Sequence, residues 1–284
     1  MKREVKLFFP VDVSSAEEAH ELLAEVGPYV DVAKVGMELD NNAGLPTMVV
    51  ICNAHGKEVF VDKKFFDIPN TVGKAAAGVT SFGVDYFNVM ALGGKRMMAA
   101  AVESAALRAQ KIQVKRPKII AVSMLTSMAY DEVVSEAGVV PPVLIMMLQK
   151  AAMDGLIGEE VLPLLQKLFS ADPADQLKYV AEIVLHLTND AVEVGVDCAL
   201  SSPLETSKIR RGHPDIEIIN PGIRMPWDPP DDQRRTATPY EAVRDGATGL
   251  VVGRPVRNPQ GGRTRQDVID AIRVDIQKAL AERG

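Results

Sequence analysis

Short runs of apolar, β-branched and aromatic residues alternate along this chain with longer amphipathic stretches. The short runs have the length and composition of buried strands, whereas the longer ones repeat their apolar residues at helical spacing. Ser15 stands as a helix cap before Glu17 and Glu18, so helices are predicted over 15–26 and, further on, over 95–110. The predicted strands are eight: 5–13, 30–37, 58–65, 85–92, 118–125, 196–202, 217–223 and 249–255.

This alternation of strands and helices is typical of repeated βα units around a parallel sheet. Eight units predict a closed (β/α)8 TIM barrel. An open doubly wound sheet would alternate in the same way, but it usually carries a glycine-rich turn after its first strand, and that turn here reads Asp12-Val13-Ser14. The 284 residues suit one barrel, so we expect a single domain over 1–284.

The connection after the fifth predicted strand is longer than one crossover helix needs. It contains Pro141 and Pro142, followed by apolar stretches over 143–148 and 161–169. We therefore predict a helical insertion at about 129–180 that covers part of the barrel surface. Its methionines are more typical of a core or an interface than of a cofactor site.

Composition and charge exclude several classes of function. Hydrophobic residues make up 47% of the chain and charged residues 25%, which is ordinary for a globular protein. A net charge of −6 without a basic stripe argues against nucleic-acid binding. No apolar run approaches the roughly 18 residues of a membrane helix, and the run over 7–11 is too short for a signal peptide, so a cytoplasmic protein is expected.

The cysteines and histidines do not form a recognisable metal or disulfide pattern. Cys52 and Cys198 are far apart and lack a CxxC spacing, so they are predicted to be buried thiols. The four histidines show neither H-x-H nor H-E-x-x-H spacing. No metal site is therefore expected.

Charged residues concentrate in the third predicted strand and the turn after it. Residues 59–72 read V-F-V-D-K-K-F-F-D-I-P-N-T-V. Side chains alternate across a strand, so Asp62 and Lys64 share one face while Lys63 lies on the other, and Asp67 follows the strand end. Charged pairs near the carboxyl end of a barrel strand belong at the catalytic mouth, although such a pattern alone also fits a salt-bridged strand end.

Two neighbouring strands add charges to the same end of the predicted barrel. Lys34 lies in the apolar run V-A-K-V-G, where a lysine would be costly unless a carboxylate met it. Asp12 ends the first strand in the same manner. Three strands that each deliver a charge to one barrel end indicate a catalytic site.

With these residues the sequence resembles the orotidine 5'-phosphate decarboxylase family, whose signature is commonly D-x-K-x-x-D-I-P-N-T. Asp62, Lys64 and Asp67 match that signature, and Lys34 and Asp12 match the family's lysine and acid on the second and first strands. The resemblance continues in chain order over 125–128, 220–224, 232–233 and 253–255. It departs from the family at 90–94, where a histidine followed by alanine is common, and in the loop 226–230.

The resemblance implies a carboxy-lyase that converts orotidine 5'-monophosphate to uridine 5'-monophosphate in pyrimidine biosynthesis, without metal or cofactor. Its catalytic residues would be Lys64, Asp62, Asp67 and Lys34, with Lys64 as the general acid. Removing carbon dioxide leaves a carbanion that has no adjacent electron sink, and an ammonium group can stabilise it electrostatically and then protonate it. Asp62 would lie near the substrate carboxylate.

The resemblance also implies which residues bind the substrate. Asp12 and Lys34 would bind the ribose, Ser127 would contact the pyrimidine edge, and Asp67 and Thr71 would reach into the partner's site across a homodimer. Barrel enzymes frequently bind phosphate with the loops after strands seven and eight, where glycines admit backbone N–H groups and arginine adds a bidentate charge. The corresponding residues here are Pro221, Gly222, Arg224, Gln233, Gly253 and Arg254. The segment 231–235 is charged and loop-like, which also fits a solvated turn.

Two other functions remain open. A magnesium-dependent sugar-phosphate decarboxylase or aldolase of the same superfamily, similar to the 3-keto-gulonate 6-phosphate decarboxylases, would share the D-x-K-x-x-D strand, but the I-P-N-T continuation argues against it. A barrel that binds a phosphorylated ligand without turnover would not need the complete charged set. We therefore favour the nucleotide decarboxylase.

Overall fold

Eight parallel strands close into a barrel in chain order, and the last strand pairs with the first. The computed structural model describes residues 5–125, 173–229 and 235–283. The strands are β1 (Lys6–Pro10), β2 (Val32–Gly36), β3 (Glu58–Phe65), β4 (Tyr86–Met90), β5 (Lys118–Val122), β6 (Cys198–Leu200), β7 (Glu217–Asn220) and β8 (Gly249–Val251). The predicted (β/α)8 TIM barrel is confirmed, and each observed strand lies within its predicted range.

Helices surround the barrel between successive strands. In the described residues they are α1 (Ala16–Val26), α2 (Met37–Ala43), α3 (Leu45–Ala54), α4 (Pro69–Thr80), α5 (Gly94–Ile112), α6 (Pro173–Glu193), α7 (Thr206–Gly212), α8 (Pro239–Arg244), α9 (Arg254–Arg257) and α10 (Arg265–Glu282). Ser15 caps α1 as predicted, since its hydroxyl accepts the N–H of Glu18 at 3.1 Å. Within these ranges no helix combines the length and apolarity that crossing a membrane would take.

Most of the predicted insertion at 129–180 lies outside the described residues. Its last part belongs to α6, which leads into β6. The insertion and the single-domain organisation both stay predictions.

Alternation along the strands separates two apolar cores. Side chains that point into the barrel form an inner cluster, while those that point outward pack against the helices in a larger one. In the inner cluster the Phe8 ring packs edge-on against Phe60 and Tyr86, with ring centroids 6.1 and 5.4 Å apart. Gly249 is required beside this ring, because a Cβ there would lie 2.7 Å from a ring carbon of Phe8. The centre of the barrel is therefore filled, and a ligand can enter only at its ends.

Four equivalent hydrogen bonds link neighbouring strands at the amino-terminal end of the barrel. The residue directly before each even-numbered strand uses a side-chain oxygen to accept a backbone N–H from the preceding strand. The pairs are Asp31 with Leu7 at 2.8 Å, Asp85 with Val59 at 3.0 Å, Asp197 with Ile119 at 2.8 Å and Thr248 with Ile218 at 2.9 Å. The ion pairs Lys6–Glu58 and Lys118–Glu217 lie at the same end. This end is thus internally satisfied, which leaves the carboxyl end for chemistry.

Both cysteines are buried, as the sequence predicts. Burial raises the pKa of the Cys52 thiol to about 12 and the pKa of Cys198 well above its ordinary value. Both side chains are therefore protonated and unreactive at neutral pH.

Candidate active site

A network of charged side chains, with Lys34 and Asp62 largely buried, lies at the carboxyl ends of β1, β2 and β3. Lys34 Nζ is 3.0 Å from Asp62 Oδ2 and 3.5 Å from Asp12 Oδ1, and Lys64 Nζ is 2.7 Å from Asp62 Oδ1. Lys34 thus meets a carboxylate, and Asp62 and Lys64 share a face, as expected from their sequence environment. Lys63 points to the other side of β3 and pairs with Asp40 of α2.

The network keeps Asp62 and Lys34 charged. Burial favours the neutral form of Asp62, but the ammonium groups of Lys34 and Lys64, with hydrogen bonds from Lys64 and Asn88, outweigh it and hold the pKa of Asp62 at about 2. Burial lowers the pKa of Lys34, whereas Asp62 and Asp12 raise it by more, so that the net shift is upward. The Lys64 side chain is 31% exposed, against 13% for Lys34 and 11% for Asp62, so its ammonium is the more accessible of the two lysine ammonium groups to a ligand.

The end of β3 departs from regular strand geometry at this network. Val61 pairs with Phe87 and Phe65 with Val89, so four steps along β3 face only two along β4. Lys64 lies in the left-handed region with φ of 49°. A non-glycine residue pays about 1–2 kcal/mol for that conformation, and such irregularities commonly re-aim a side chain beside an active site. The bulge directs Lys64 back towards Asp62.

Asn88, which was not among the predicted site residues, holds the bulge in place. This residue of β4 is 1% exposed. Its Oδ1 accepts the backbone N–H of Lys64 at 2.7 Å, and its Nδ2 donates to Asp62 Oδ1 at 2.6 Å. A signal was present, because an asparagine inside the apolar run Y-F-N-V-M is as unusual as Lys34 in its own strand. One buried amide therefore fixes the backbone of Lys64 relative to the carboxylate of Asp62.

An arginine-lined cleft of about 200 Å³ opens beside the network, between the ends of β1, β2, β7 and β8. It gathers seven of the predicted substrate-binding residues in one place. Its lining residues include Asp12, Lys34, Pro221, Gly222, Arg224, Gly253, Arg254 and Arg257. Three guanidinium groups against one carboxylate make this end of the mouth suited to an anion.

Close packing shapes the walls of this cleft. A Cβ on Gly253 would lie 2.8 Å from Cγ of Pro10, so glycine is needed where the end of β8 approaches β1. Arg257 donates to the backbone carbonyl of Asp12 at 2.6 Å. On the other wall, the N–H of Arg224 donates to the carbonyl of Ala237 at 3.0 Å, which holds the start of the β7–α8 connection against its end.

The remaining predicted site residues are not part of the network. Asp67 and Thr71 are exposed, and the Asp67 carboxylate accepts the N–H of Ile68 at 2.6 Å. Ser127 and Gln233 lie outside the described residues. Over 5–125, 173–229 and 235–283, no three side chains of metal-binding type come together. The absence of a metal requirement stays a prediction.

Comparisons with known proteins show which family the chain resembles in sequence and in fold. The family model described as "Orotidine 5'-phosphate decarboxylase / HUMPS family" matches residues 6–171 and 160–264. Orotidine 5'-phosphate decarboxylase of Syntrophomonas wolfei is 34% identical over 257 residues, which cover 90% of this chain and 92% of that protein. The enzyme of the same name from Syntrophotalea carbinolica is 36% identical over 264 residues, covering 92% of both chains.

A solved structure extends the similarity to three dimensions. The crystal structure of orotidine 5'-phosphate decarboxylase from Lactobacillus acidophilus matches with a TM-score of 0.70 and 26% identity, and the match covers 96% of this chain and 99% of that one. The similarity therefore extends over nearly the whole chain in sequence and in fold. With a charged strand-end network beside an arginine-lined cleft, the chain belongs to the orotidine 5'-phosphate decarboxylase / HUMPS family.

Proposed function

We propose that this protein decarboxylates orotidine 5'-monophosphate to uridine 5'-monophosphate, a step of pyrimidine biosynthesis, in the cytoplasm. The observation that carries the proposal is the Lys34–Asp62–Lys64 network directly beside a cleft lined by three arginines. A nucleotide fits these two parts of the site, since its phosphate is a dianion that suits the arginines and its base is the reacting part that would lie at the network. Similarity to relatives named for this activity supports the same choice.

The geometry suggests how the substrate lies across the mouth. Its phosphate would bind in the cleft at Arg224 and Arg254, and its ribose would lie over Asp12 and Lys34. The pyrimidine then reaches Lys64, the more exposed of the two lysines. The bond between the ring carbon and the carboxylate breaks, carbon dioxide leaves, and the electron pair remains on the ring carbon. Lys64 stabilises this carbanion and transfers a proton from Nζ to it, after which solvent returns a proton to the amine.

Asp62 acts mainly by orienting the two ammonium groups. Its two oxygens are each within 3.0 Å of a lysine Nζ, so its charge is largely neutralised inside the network. Repulsion between Asp62 and the substrate carboxylate is a contested source of catalysis, and the paired state of Asp62 argues for the orienting role. With a pKa of about 2, Asp62 keeps this role throughout the neutral range.

The direct test is ultraviolet absorbance of orotidine 5'-monophosphate during incubation with the purified protein. We expect loss of the substrate band with formation of uridine 5'-monophosphate, identified by chromatography. Decarboxylation or aldol cleavage of a sugar phosphate, with the nucleotide untouched, would replace the proposal with the sugar-phosphate alternative. Nucleotide binding without turnover would favour a non-catalytic barrel.

Activity is expected to need no metal, because charge stabilisation is assigned to Lys64. Exhaustive chelation followed by gel filtration should leave kcat and KM within about twofold of the untreated protein, since ammonium and not Lewis-acid stabilisation carries the step. Metal content is measured on the same sample. Abolition by chelation with rescue by magnesium would contradict the assignment.

We further propose a homodimer in which the sites are shared. The mouth is bordered by exposed apolar side chains on both sides of Asp67: Phe66 is 62% and Ile68 64% exposed. Leu92, at 43%, adds to the exposed apolar side chains. Such side chains around a charged residue are suited to an interface, and Asp67 and Thr71 would then enter the partner's site.

Sharing predicts that two inactive chains complement each other. Asp67→Ala and Lys64→Ala proteins are each expected to be inactive as homodimers. Mixed under conditions that exchange subunits, they should recover up to about a quarter of the wild-type rate, because random pairing makes about half of the dimers hybrid and one of their two sites keeps both native residues. Absence of recovery, with heterodimers shown by native mass spectrometry, would count against sharing.

Asn88→Ala is expected to reduce kcat about 10–10²-fold with KM for the nucleotide changed less than threefold, because the positions of Lys64 and Asp62 relax while the cleft is intact. Asp85→Ala is the matched control, since Asp85 also bonds β4 to a backbone N–H of β3, but at the opposite barrel end. The control should lose stability and keep kcat. Equal kcat losses in the two variants would show that Asn88 only stabilises the fold and does not position Lys64 and Asp62.

A further inference from the structure

A buried ion pair joins elements on the far side of the mouth from the Lys34–Asp62–Lys64 network. Arg235 is 5% and Glu205 1% exposed, and Arg235 Nη1 is 2.9 Å from Glu205 Oε1. Arg235 Nη2 also donates to the backbone carbonyl of Leu125 at 3.1 Å. The segment 231–235 had the composition of a solvated turn, and for Arg235 that interpretation is wrong, because its guanidinium is enclosed.

The cost of burying this pair suggests a role other than stability. Removing two charges from water carries a large desolvation cost, and apolar residues of similar volume often stabilise a protein equally well. Burial raises the pKa of Glu205, and Arg235 only partly opposes this. Unlike an apolar contact, the pair fixes the relative orientation of the groups it joins, since a planar guanidinium bonds two acceptors at fixed angles.

The two acceptors belong to different parts of the barrel mouth. Leu125 follows the carboxyl end of β5, and Glu205 ends the 3-10 turn Pro203–Glu205 that follows β6. A buried polar chain continues to β7, because Thr206 donates to Asn220 Oδ1 at 2.9 Å and Asn220 Nδ2 donates to the carbonyl of Ser201 at 2.9 Å. The ends of β5, β6 and β7 are thus linked by directed bonds.

Arg235 is also close in sequence to the arginine-lined cleft. Two residues after it, Ala237 forms a bridge with Ile223 and accepts the N–H of Arg224, which lines that cleft. Arg235 therefore stands between the phosphate side of the mouth and the β5–β6 side.

We propose that Arg235 and Glu205 are positioning residues that tie the phosphate-binding side of the mouth to the end of β5, so that binding of the phosphate group orders the surroundings of the reacting base. The proposal rests on the proposed function, because it assumes a substrate with a phosphate at one end and a reacting ring at the other. Neither residue needs to touch the substrate.

The test compares a nucleotide with its phosphate-free nucleoside in the double variant Glu205→Leu/Arg235→Met. Apolar replacement of both partners avoids leaving one buried charge unpaired, so the variant is expected to fold. We expect kcat/KM for orotidine 5'-monophosphate to fall about 10²-fold and that for orotidine less than threefold, since a misplaced group far from the chemistry can cost that much. The ratio of kcat/KM for the nucleotide to kcat/KM for the nucleoside, called the substrate ratio below, should therefore fall steeply.

Arg116→Met is the matched control. Arg116 likewise bonds a carboxylate, that of Asp197 at 2.9 Å, and a backbone carbonyl, that of Pro117, but at the amino-terminal end of the barrel. Its substrate ratio should equal that of the wild type. If the double variant loses activity equally towards both substrates, the pair is only structural and the proposal is overturned.

Arg235→Lys gives a second measurement that does not depend on the double variant. Lysine keeps the charge opposite Glu205 but lacks the fork that reaches Leu125, so the substrate ratio is expected to fall about tenfold. An unchanged ratio in a folded Arg235→Lys protein would overturn the tie. Failure of the wild type to convert the nucleotide at all would instead overturn the proposed function, which keeps the two failures distinguishable.

Discussion

Lys64→Ala is expected to lower kcat by about 10⁴-fold or more while the protein still folds and binds nucleotide. A general acid contributes roughly 10²–10⁴-fold, and a charge aimed at a developing anion about 10²–10³-fold, and here one ammonium does both. The loss should appear in kcat and hardly in the affinity for uridine 5'-monophosphate, because the missing interaction develops only as carbon dioxide leaves.

The surroundings of Lys64 explain why the variant should fold. When its ammonium is removed, Asp62 still has Lys34 at 3.0 Å and the amide of Asn88 at 2.6 Å, so no buried charge is left alone. Alanine also fits the left-handed backbone at 64 about as well as lysine, since both carry a Cβ.

Lys63→Ala is the matched control for this prediction, because Lys63 is the next residue of β3 and pairs with Asp40 outside the network. Its kcat should stay within about threefold of the wild type, as exposed or half-exposed ion pairs contribute little. Product affinity is measured by calorimetry and folding by circular dichroism. A Lys64→Ala protein that keeps most of the wild-type rate would refute the role of Lys64 as acid.

Much of the fold and the charged half of the site follow from patterns along the chain. The barrel is predictable because each strand is a short apolar run whose alternation defines an inward face. Asp62, Lys64 and Lys34 stand out because charges inside such runs need partners, and parallel strands bring their carboxyl ends together. The sequence thereby identifies which strand ends form the mouth.

The features of the site that these patterns do not predict depend on tertiary geometry. The bulge after Val61 breaks the two-residue period, so the conformation of Lys64 and its support by Asn88 are visible only when β4 is in register beside β3. For Arg235 the sequence pattern predicts exposure where the structure shows burial. Its sequence neighbours are polar, but its guanidinium is enclosed where it pairs with Glu205, thirty positions earlier in the chain.

Arg254→Ala is expected to lower kcat/KM for orotidine 5'-monophosphate by about 10²–10⁴-fold, since two charge-assisted hydrogen bonds of roughly 1.5–3 kcal/mol each are at stake. Arg254 begins α9 directly after Gly253 and lines the cleft with Arg224 and Arg257. Because binding energy far from the reacting carbon can be used to organise the site, kcat should fall as well as affinity. Steady-state kinetics separate the two parameters.

The phosphate-free nucleoside tests where Arg254 acts. Without a phosphate the guanidinium has no partner on the substrate, so wild type and Arg254→Ala should convert orotidine at rates within about threefold of each other. The difference between the variants would then belong to the phosphate end alone, which matches a cleft formed by the ends of β7, β8, β1 and β2. If Arg254→Ala slows the nucleoside as severely as the nucleotide, Arg254 supports the fold or the pyrimidine end. In that event the proposed orientation, with the phosphate in the arginine-lined cleft and the base over Lys64, is wrong.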